Sequence, residues 1–199
     1  PDGERSLRAC DEAAIGTALG LAGSDDEVVT ATVGPVAAEP AIRRALAKGP
    51  DRAVRVWDDR LDGNDDPQVT SRVLAGVADD VEPSLVVAGT RSGTDGSGAT
   101  GVTLAAELGY GWATGVTDAA LDRESGVVTT RRALSGRLTE LVEVELPAVL
   151  TTPAGSTGPR YAGLAAVRAA HRDDIDVRSL PDLPPTATES RLSRLDATE

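Results

Sequence analysis

Between Leu85 and Gly109 the chain reads LVVAGTRSGTDGSGATGVTLAAELG, and this run limits the fold more than any other. A short apolar strand, Leu85-Val86-Val87-Ala88, leads into a loop carrying Gly89, Gly93, Gly96, Gly98 and Gly101. An apolar-periodic helix is then predicted over Val102 to Leu108, stopping at Gly109. Strand, glycine-rich loop and helix start together make an anion-binding geometry, because free backbone N–H groups and the positive helix end converge on one spot. Glycine lets the main chain approach a phosphate closely. Ser92, Thr94, Ser97 and Thr100 add hydroxyl donors. The loop has neither the Lys-Ser/Thr ending of a Walker A sequence nor a strict GxGxxG, so a plain glycine-rich surface loop stays open as a reading.

The rest of the chain alternates in period around this run. Helices are predicted over Asp11–Leu21, with Ala14, Ile15, Ala18 and Leu21 inward, and over Ala38–Lys48, with Ile42, Ala45 and Leu46 inward. A third spans Gln68–Val81, presenting Val69, Val73, Leu74 and Val77. Strands are predicted over Glu27–Val33 and Ala53–Trp57. Strands separated by helices of this length pair in parallel through right-handed crossovers, which predicts a doubly wound, Rossmann-like α/β sheet. Ligands of such sheets bind at the carboxyl ends of strands, where the glycine loop lies. After Gly111 the rhythm changes. Ala113–Leu121, Val127–Ala133 and Leu138–Glu145 read as extended segments joined by tight turns, an antiparallel β meander added to the parallel core. A strand at Pro147–Leu150, a helix at Tyr161–Ala170 and a strand at Ile175–Arg178 complete a domain over 1–180. The tail, 181–199, reads as a polar linker or docking segment.

Composition excludes several functions. Asp plus Glu number 32 against 20 basic residues, for a formal charge of -12, and Lys48 is the only lysine. Such acidity argues against nucleic-acid binding, which needs a basic footprint. It suits a high-salt cytoplasm, where counter-ions screen self-repulsion. One cysteine, Cys10, permits no internal disulfide and no cysteine metal cluster, and one histidine, His171, rules out a multi-histidine metal site. No apolar run reaches the length of a membrane span, so no membrane insertion is expected. A reducing, cytoplasmic setting is the natural expectation.

Several blocks, in order along most of the chain, resemble the beta subunit of electron transfer flavoproteins. They are CDEAAIGTALGLA, ATVGP, AIRRALAKGPDRAVRVWDD, VVAGTRSGTDGSGATGVTLAAELG, TTRRALSGR, ELPAVLTTPAGSTGPRYAGL and IDVRSLPDL. The resemblance implies an electron-carrier subunit rather than an enzyme. Its partner would be an alpha subunit that carries most of an FAD site, shared with the beta chain. AMP, or a second FAD, would be held by the beta chain itself. Flavin dehydrogenases would donate electrons, and a quinone oxidoreductase would accept them. Redox chemistry then belongs to the flavin, and the protein positions it.

Carried over residue by residue, the resemblance makes Gly89, Arg91, Ser92, Gly98, Ala99, Thr100 and Gly101 the cofactor-binding candidates, with Val33 and Gly34 at a neighbouring strand end. Thr90-Arg91 and Gly98-Ala99 depart from the family's usual pairs, leaving main-chain amides and Arg91 to hold phosphate. Leu192 and Leu195 are the partner-binding candidates. Cys10 reads as a buried core thiol, Arg132 as structural, and Trp57 and Trp112 as buried apolar area. His171 reads as solvated, and Arg160 as either a loop-locking ion pair or a cofactor or subunit contact. The family's opening strand has no counterpart here, so open edges are expected on Glu27–Val33 and Leu85–Ala88. The competing function is a stand-alone ATP/AMP-binding regulatory module similar to universal stress proteins. A nucleotide hydrolase or pyrophosphatase ranks last, because no SGGxDS-like loop is present.

Overall fold

The computed structural model describes residues 7–63, 66–90, 98–134, 138–158 and 160–180. Helices and strands alternate first: α1 (Ala9–Leu21), β1 (Val29–Val33), α2 (Glu39–Leu46), β2 (Arg52–Val56), α3 (Pro67–Val81), β3 (Leu85–Gly89) and α4 (Thr100–Leu108). The strands β4 (Gly111–Ala113), β5 (Val116–Asp122), β6 (Val127–Ala133), β7 (Thr139–Glu145) and β8 (Ala148–Thr152) follow. Helix α5 (Leu164–Ala170) and strand β9 (Ile175–Arg178) end the described chain.

The predicted parallel pairing is present, in two three-stranded groups. One has the order β1-β2-β9 and the other β3-β8-β4. Their central strands explain themselves chemically. In β8, AVLTT, every residue is buried, and β2 is buried from Ala53 onward. Parallel strands covered on both faces need such apolar or self-satisfied runs. By contrast, no residue of β1 or β3 is fully buried, although both are rich in Val. Among the described strands, none pairs with the outer edge of β1 or of β3.

Val54 and Val56 of β2 pack with Val69, Val73 and Val77 of α3 and with Leu180. The four-residue spacing of the α3 valines puts them on one helix face; Leu74 is only half-buried. On the other side of β2, Ala53 meets Ile42, Leu46 and Ala47 of the α2 segment and Ala170 of α5. Ile42, Ala45 and Leu46 are all buried, as their spacing predicts. Helix α1 departs from expectation. It buries Cys10, Ala13, Ala14 and Gly16, while Ile15 and Ala18 are half-buried. Small residues run all round this helix, so close approach rather than an apolar stripe sets its buried face. A Cβ on Gly16 would lie 2.5 Å from Thr157 Oγ1.

The meander β5-β6-β7 is antiparallel, as read from the sequence. Its inner residues Val116, Val128 and Val144 join Ala113, Ala148 and Leu150 in a shared core. The segment predicted as one strand from Ala113 to Leu121 is two. Gly115 takes φ +67°, a left-handed turn that only glycine adopts cheaply. The turn ends β4, which pairs with β8, and lets β5 start in the other sheet. Helix α5 likewise begins at Leu164 rather than Tyr161, because Gly163 is extended at its N-cap. Among the described residues no helix is long and apolar enough to cross a membrane.

Candidate functional site

Gly89 ends β3, and the chain is described again at Gly98, beside Thr90. Gly98 has φ +70°, and a Cβ there would stand 2.6 Å from the Thr90 carbonyl oxygen. Both limits select glycine: the left-handed backbone and the crowding by main chain. Thr90 N donates to Thr152 O at 2.9 Å, which extends the β3–β8 ladder by one bond and fixes the loop's exit.

Helix α4 opens at Ala99 as N-cap, with no side-chain capping bond. The first turn of a helix leaves amide donors without intrahelical acceptors. Here no Ser, Thr, Asn or Asp side chain occupies the cap position to accept from them. Three contacts hold the turn in place. A Cβ on Gly101 would run into Thr151 Cγ2, well inside contact distance, so only glycine lets α4 lie this close to β8. Ser71 Oγ on α3 lies 2.9 Å from Thr100 O and 2.7 Å from Pro67 O. Thr151 Oγ1 in turn accepts from Gly115 N at 3.3 Å. The result is a helix start without a side-chain cap at the carboxyl end of β3, a geometry suited to an anion.

Of the candidates read from sequence, Gly89, Gly98, Ala99, Thr100 and Gly101 come together here. Val33 and Gly34 do not belong to the same sheet. They end β1, where Gly34 N donates to Val56 O at 3.0 Å and Gly34 O accepts from Arg55 Nη1 at 3.3 Å. Arg91, Ser92, Leu192 and Leu195 lie outside the described residues.

Asp11 was missed as a site residue by sequence reasoning. A Cβ on Gly89 would lie 2.6 Å from Asp11 Oδ1 and 2.9 Å from Cys10 Sγ, so the start of α1 closes over the end of β3. Burial pushes the Asp11 carboxyl above its ordinary value of 3.8; the Arg8 backbone hydrogen bond and the Arg8 charge oppose that rise. Such a group is held at a cost when ionised. Its favourable contribution is complete below the unfolded value and is lost as pH rises through the folded one. Asp11→Asn, which keeps an oxygen acceptor for the Arg8 amide, is therefore expected to stabilise the chain at neutral pH. The gain disappears below about pH 3.8. Asp26, Asp58 and Asp122 are lowered and act in the opposite sense. Thermal melts of variant and parent across pH cancel their contribution, and a constant difference would contradict the assignment.

Other residues resolve as follows. Cys10 is buried, Arg132 pairs with Glu140, and His171 is exposed. Trp57 packs against the β2–α3 core. Trp112 is a correction: it is 51% exposed, because β4 is an edge strand and its neighbour Ala113 takes the inward position. Arg160 is exposed, and its carbonyl accepts from Lys48 Nζ at 2.9 Å. Tyr161 and Leu164, in and after the GPRY segment, are 91% and 67% exposed.

A family model described as the electron transfer flavoprotein domain matches residues 2–183. The chain is 38% identical over 160 residues to the electron transfer flavoprotein subunit beta of Methylophilus methylotrophus, covering 80% of this chain and 60% of that protein. It is 33% identical over 196 residues to the subunit beta of Bradyrhizobium diazoefficiens, covering 98% and 76%. With the Bos taurus subunit beta it shares 32% identity over 158 residues, covering 79% and 61%. The chain thus spans between 60% and 76% of the length of these relatives.

Proposed function

Because the chain belongs to the electron transfer flavoprotein family, through its beta subunits, we propose that it is the beta half of a heterodimeric electron carrier. The segment from Gly89 to Gly101 grips the phosphate of AMP, or of a second FAD, and the chain helps an alpha subunit hold its FAD. The observation that carries this reading is the uncapped start of α4 at the end of β3, braced by Gly101 against Thr151. Amides of the first turn would take the phosphate oxygens, with Thr100 adding a hydroxyl and Arg91 and Ser92 completing the loop. Asp11, beside Gly89, is a suitable acceptor for a ribose hydroxyl. The donor set fits a nucleotide phosphate: main-chain amides and hydroxyls, with the Arg91 guanidinium to pair with its charge. Flavin, when bound, supplies the electron-transfer chemistry. This chain's residues bind, orient and exclude water.

Electrons would come from flavin dehydrogenases and leave toward a quinone oxidoreductase, in a reducing compartment such as the cytoplasm. The domain would span 1–180, with Val33 and Gly34 at the end of β1 as further cofactor contacts, and 181–199 serving as a docking tail. Co-expression with an alpha-like gene is expected to give a yellow heterodimer carrying an adenine nucleotide. A colourless homodimer binding ATP would favour the stress-protein-like alternative.

Partner docking has two candidate surfaces, Leu192 with Leu195 in the tail and the exposed pair Tyr161 with Leu164. Aromatic anchors such as tyrosine commonly dominate interface energetics. Tyr161→Ala with Leu164→Ala is expected to slow electron acceptance from the dehydrogenase by about tenfold or more. Flavin and nucleotide content should not change. Stopped-flow reduction of the heterodimer reads this directly, and an unchanged rate would shift the docking role to Leu192 and Leu195.

A further inference from the structure

Among the described residues, Arg55 is the only charged one that the fold buries, at 7% exposed near the carboxyl end of β2. Its guanidinium reaches across to the turn that follows β1. Nη1 donates to Gly34 O at 3.3 Å, and Nη2 lies 3.4 Å from Glu39 Oε1 in the first turn of α2. Nε is buried and meets no acceptor among the described residues. Gly34 is held from its other side as well, since its N–H donates to Val56 O at 3.0 Å. Both main-chain groups of Gly34 are thus tied to consecutive residues of β2. One side chain spans the turn from Gly34 to Glu39.

Stability does not account for this arrangement. Desolvation offsets much of the Coulombic gain of a buried ion pair, and apolar residues of similar volume commonly stabilise as well or better. A buried donor without an acceptor adds a further cost. What Arg55 supplies and an apolar residue cannot is direction, because its planar fork holds two acceptors at a fixed separation.

The turn it holds lies at the functional end of the sheet. Ligands of parallel α/β sheets bind at the carboxyl ends of strands, and Gly34 follows β1 there as the phosphate loop follows β3. Helices α3 and α4 start side by side at that end: Ser71 Oγ, near the start of α3, lies 2.9 Å from Thr100 O, at the start of α4. Helix α3 also packs against β1.

We propose that Arg55 is a positioning residue for the nucleotide site: by bridging Gly34 O and Glu39 it sets the β1–α2 turn against which the nucleoside part of the ligand rests. This rests on the nucleotide reading above, with Val33 and Gly34 as contacts. Arg55 acts through the turn rather than on the phosphate.

Arg55→Met combined with Glu39→Gln removes both charges and keeps side-chain length. AMP and adenosine are titrated into the nucleotide-depleted heterodimer, and melting temperatures are taken on the same samples. The double variant should melt no lower than the parent, yet bind both compounds about tenfold or more weaker, by the same factor. Arg55→Lys, which keeps the charge but not the fork, should be equally impaired. Parent-like affinity in the double variant or in Arg55→Lys would overturn the proposal. So would a loss confined to AMP, which would place the Arg55 charge on the phosphate, or a melting temperature that falls in step with affinity in every variant. A parent heterodimer that binds neither compound would instead contradict the nucleotide reading, and this inference with it.

Discussion

Gly101→Asp is expected to empty the nucleotide site, reducing retained adenine nucleotide to background in the purified heterodimer. Two effects act in the same direction. The new Cβ meets Thr151 Cγ2, so α4 must move away from β8; overpacking of this kind typically costs about 1–3 kcal/mol. The new carboxylate also stands in the first turn of the helix, where the phosphate would accept from the amides. The two effects can be separated. Gly101→Ala carries only the steric one, and pairing it with Thr151→Ser removes the obstructing methyl while keeping the hydroxyl that accepts from Gly115 N. Nucleotide content should fall in Gly101→Ala and recover in the pair, since contacting residues couple. Thr151→Ser should not rescue Gly101→Asp. Full nucleotide content in Gly101→Asp would mean that the loop is surface alone.

Gly89→Ala is the second large effect. Its Cβ would fall 2.6 Å from Asp11 Oδ1 and 2.9 Å from Cys10 Sγ. Both are ends of short side chains on the first turn of α1, which packs along β3 and β8, and Cys10 Cβ stands behind them at 3.1 Å. The helix must lift at its start, at a cost of about 1–3 kcal/mol, or roughly 3–10 °C in melting temperature for a chain of this size. Combining Gly89→Ala with Asp11→Ala removes the nearest obstacle and should return part of that loss. Melting curves of the two single variants and the pair test this. Simple additivity would show that Asp11 and Gly89 do not meet.

How much of this was legible in the sequence depended on the range of the cause. The helix-spaced valines of α3 are a local pattern and their buried face came out as read, and the extended segments with tight turns came out as an antiparallel meander. Gly98 and Gly101 also announced a close approach, since glycine in a strand-to-helix loop has few other uses. The partner that crowds Gly101 was not legible, because Thr151 is fifty residues away and lies beyond the strand predicted at Pro147–Leu150. The meeting of Asp11 with Gly89 was hidden for the same reason: α1 carries small residues on every side, so no apolar stripe indicated which face closes over β3. The segment 113–121 misled because its extended residues belong to two sheets, and only the left-handed Gly115 divides them. Trp112 was read as buried apolar area, while the edge position of β4 leaves it half outside.

Nucleotide extraction from the co-expressed heterodimer, quantified by mass against protein and set beside its visible spectrum, tests the central claim most directly. The account predicts a flavin spectrum together with an adenine nucleotide in amounts matching the beta chain, the nucleotide lost on Gly101→Asp while the two polypeptides stay together. A complex with flavin but no second nucleotide, or with nucleotide undiminished in that variant, would contradict it.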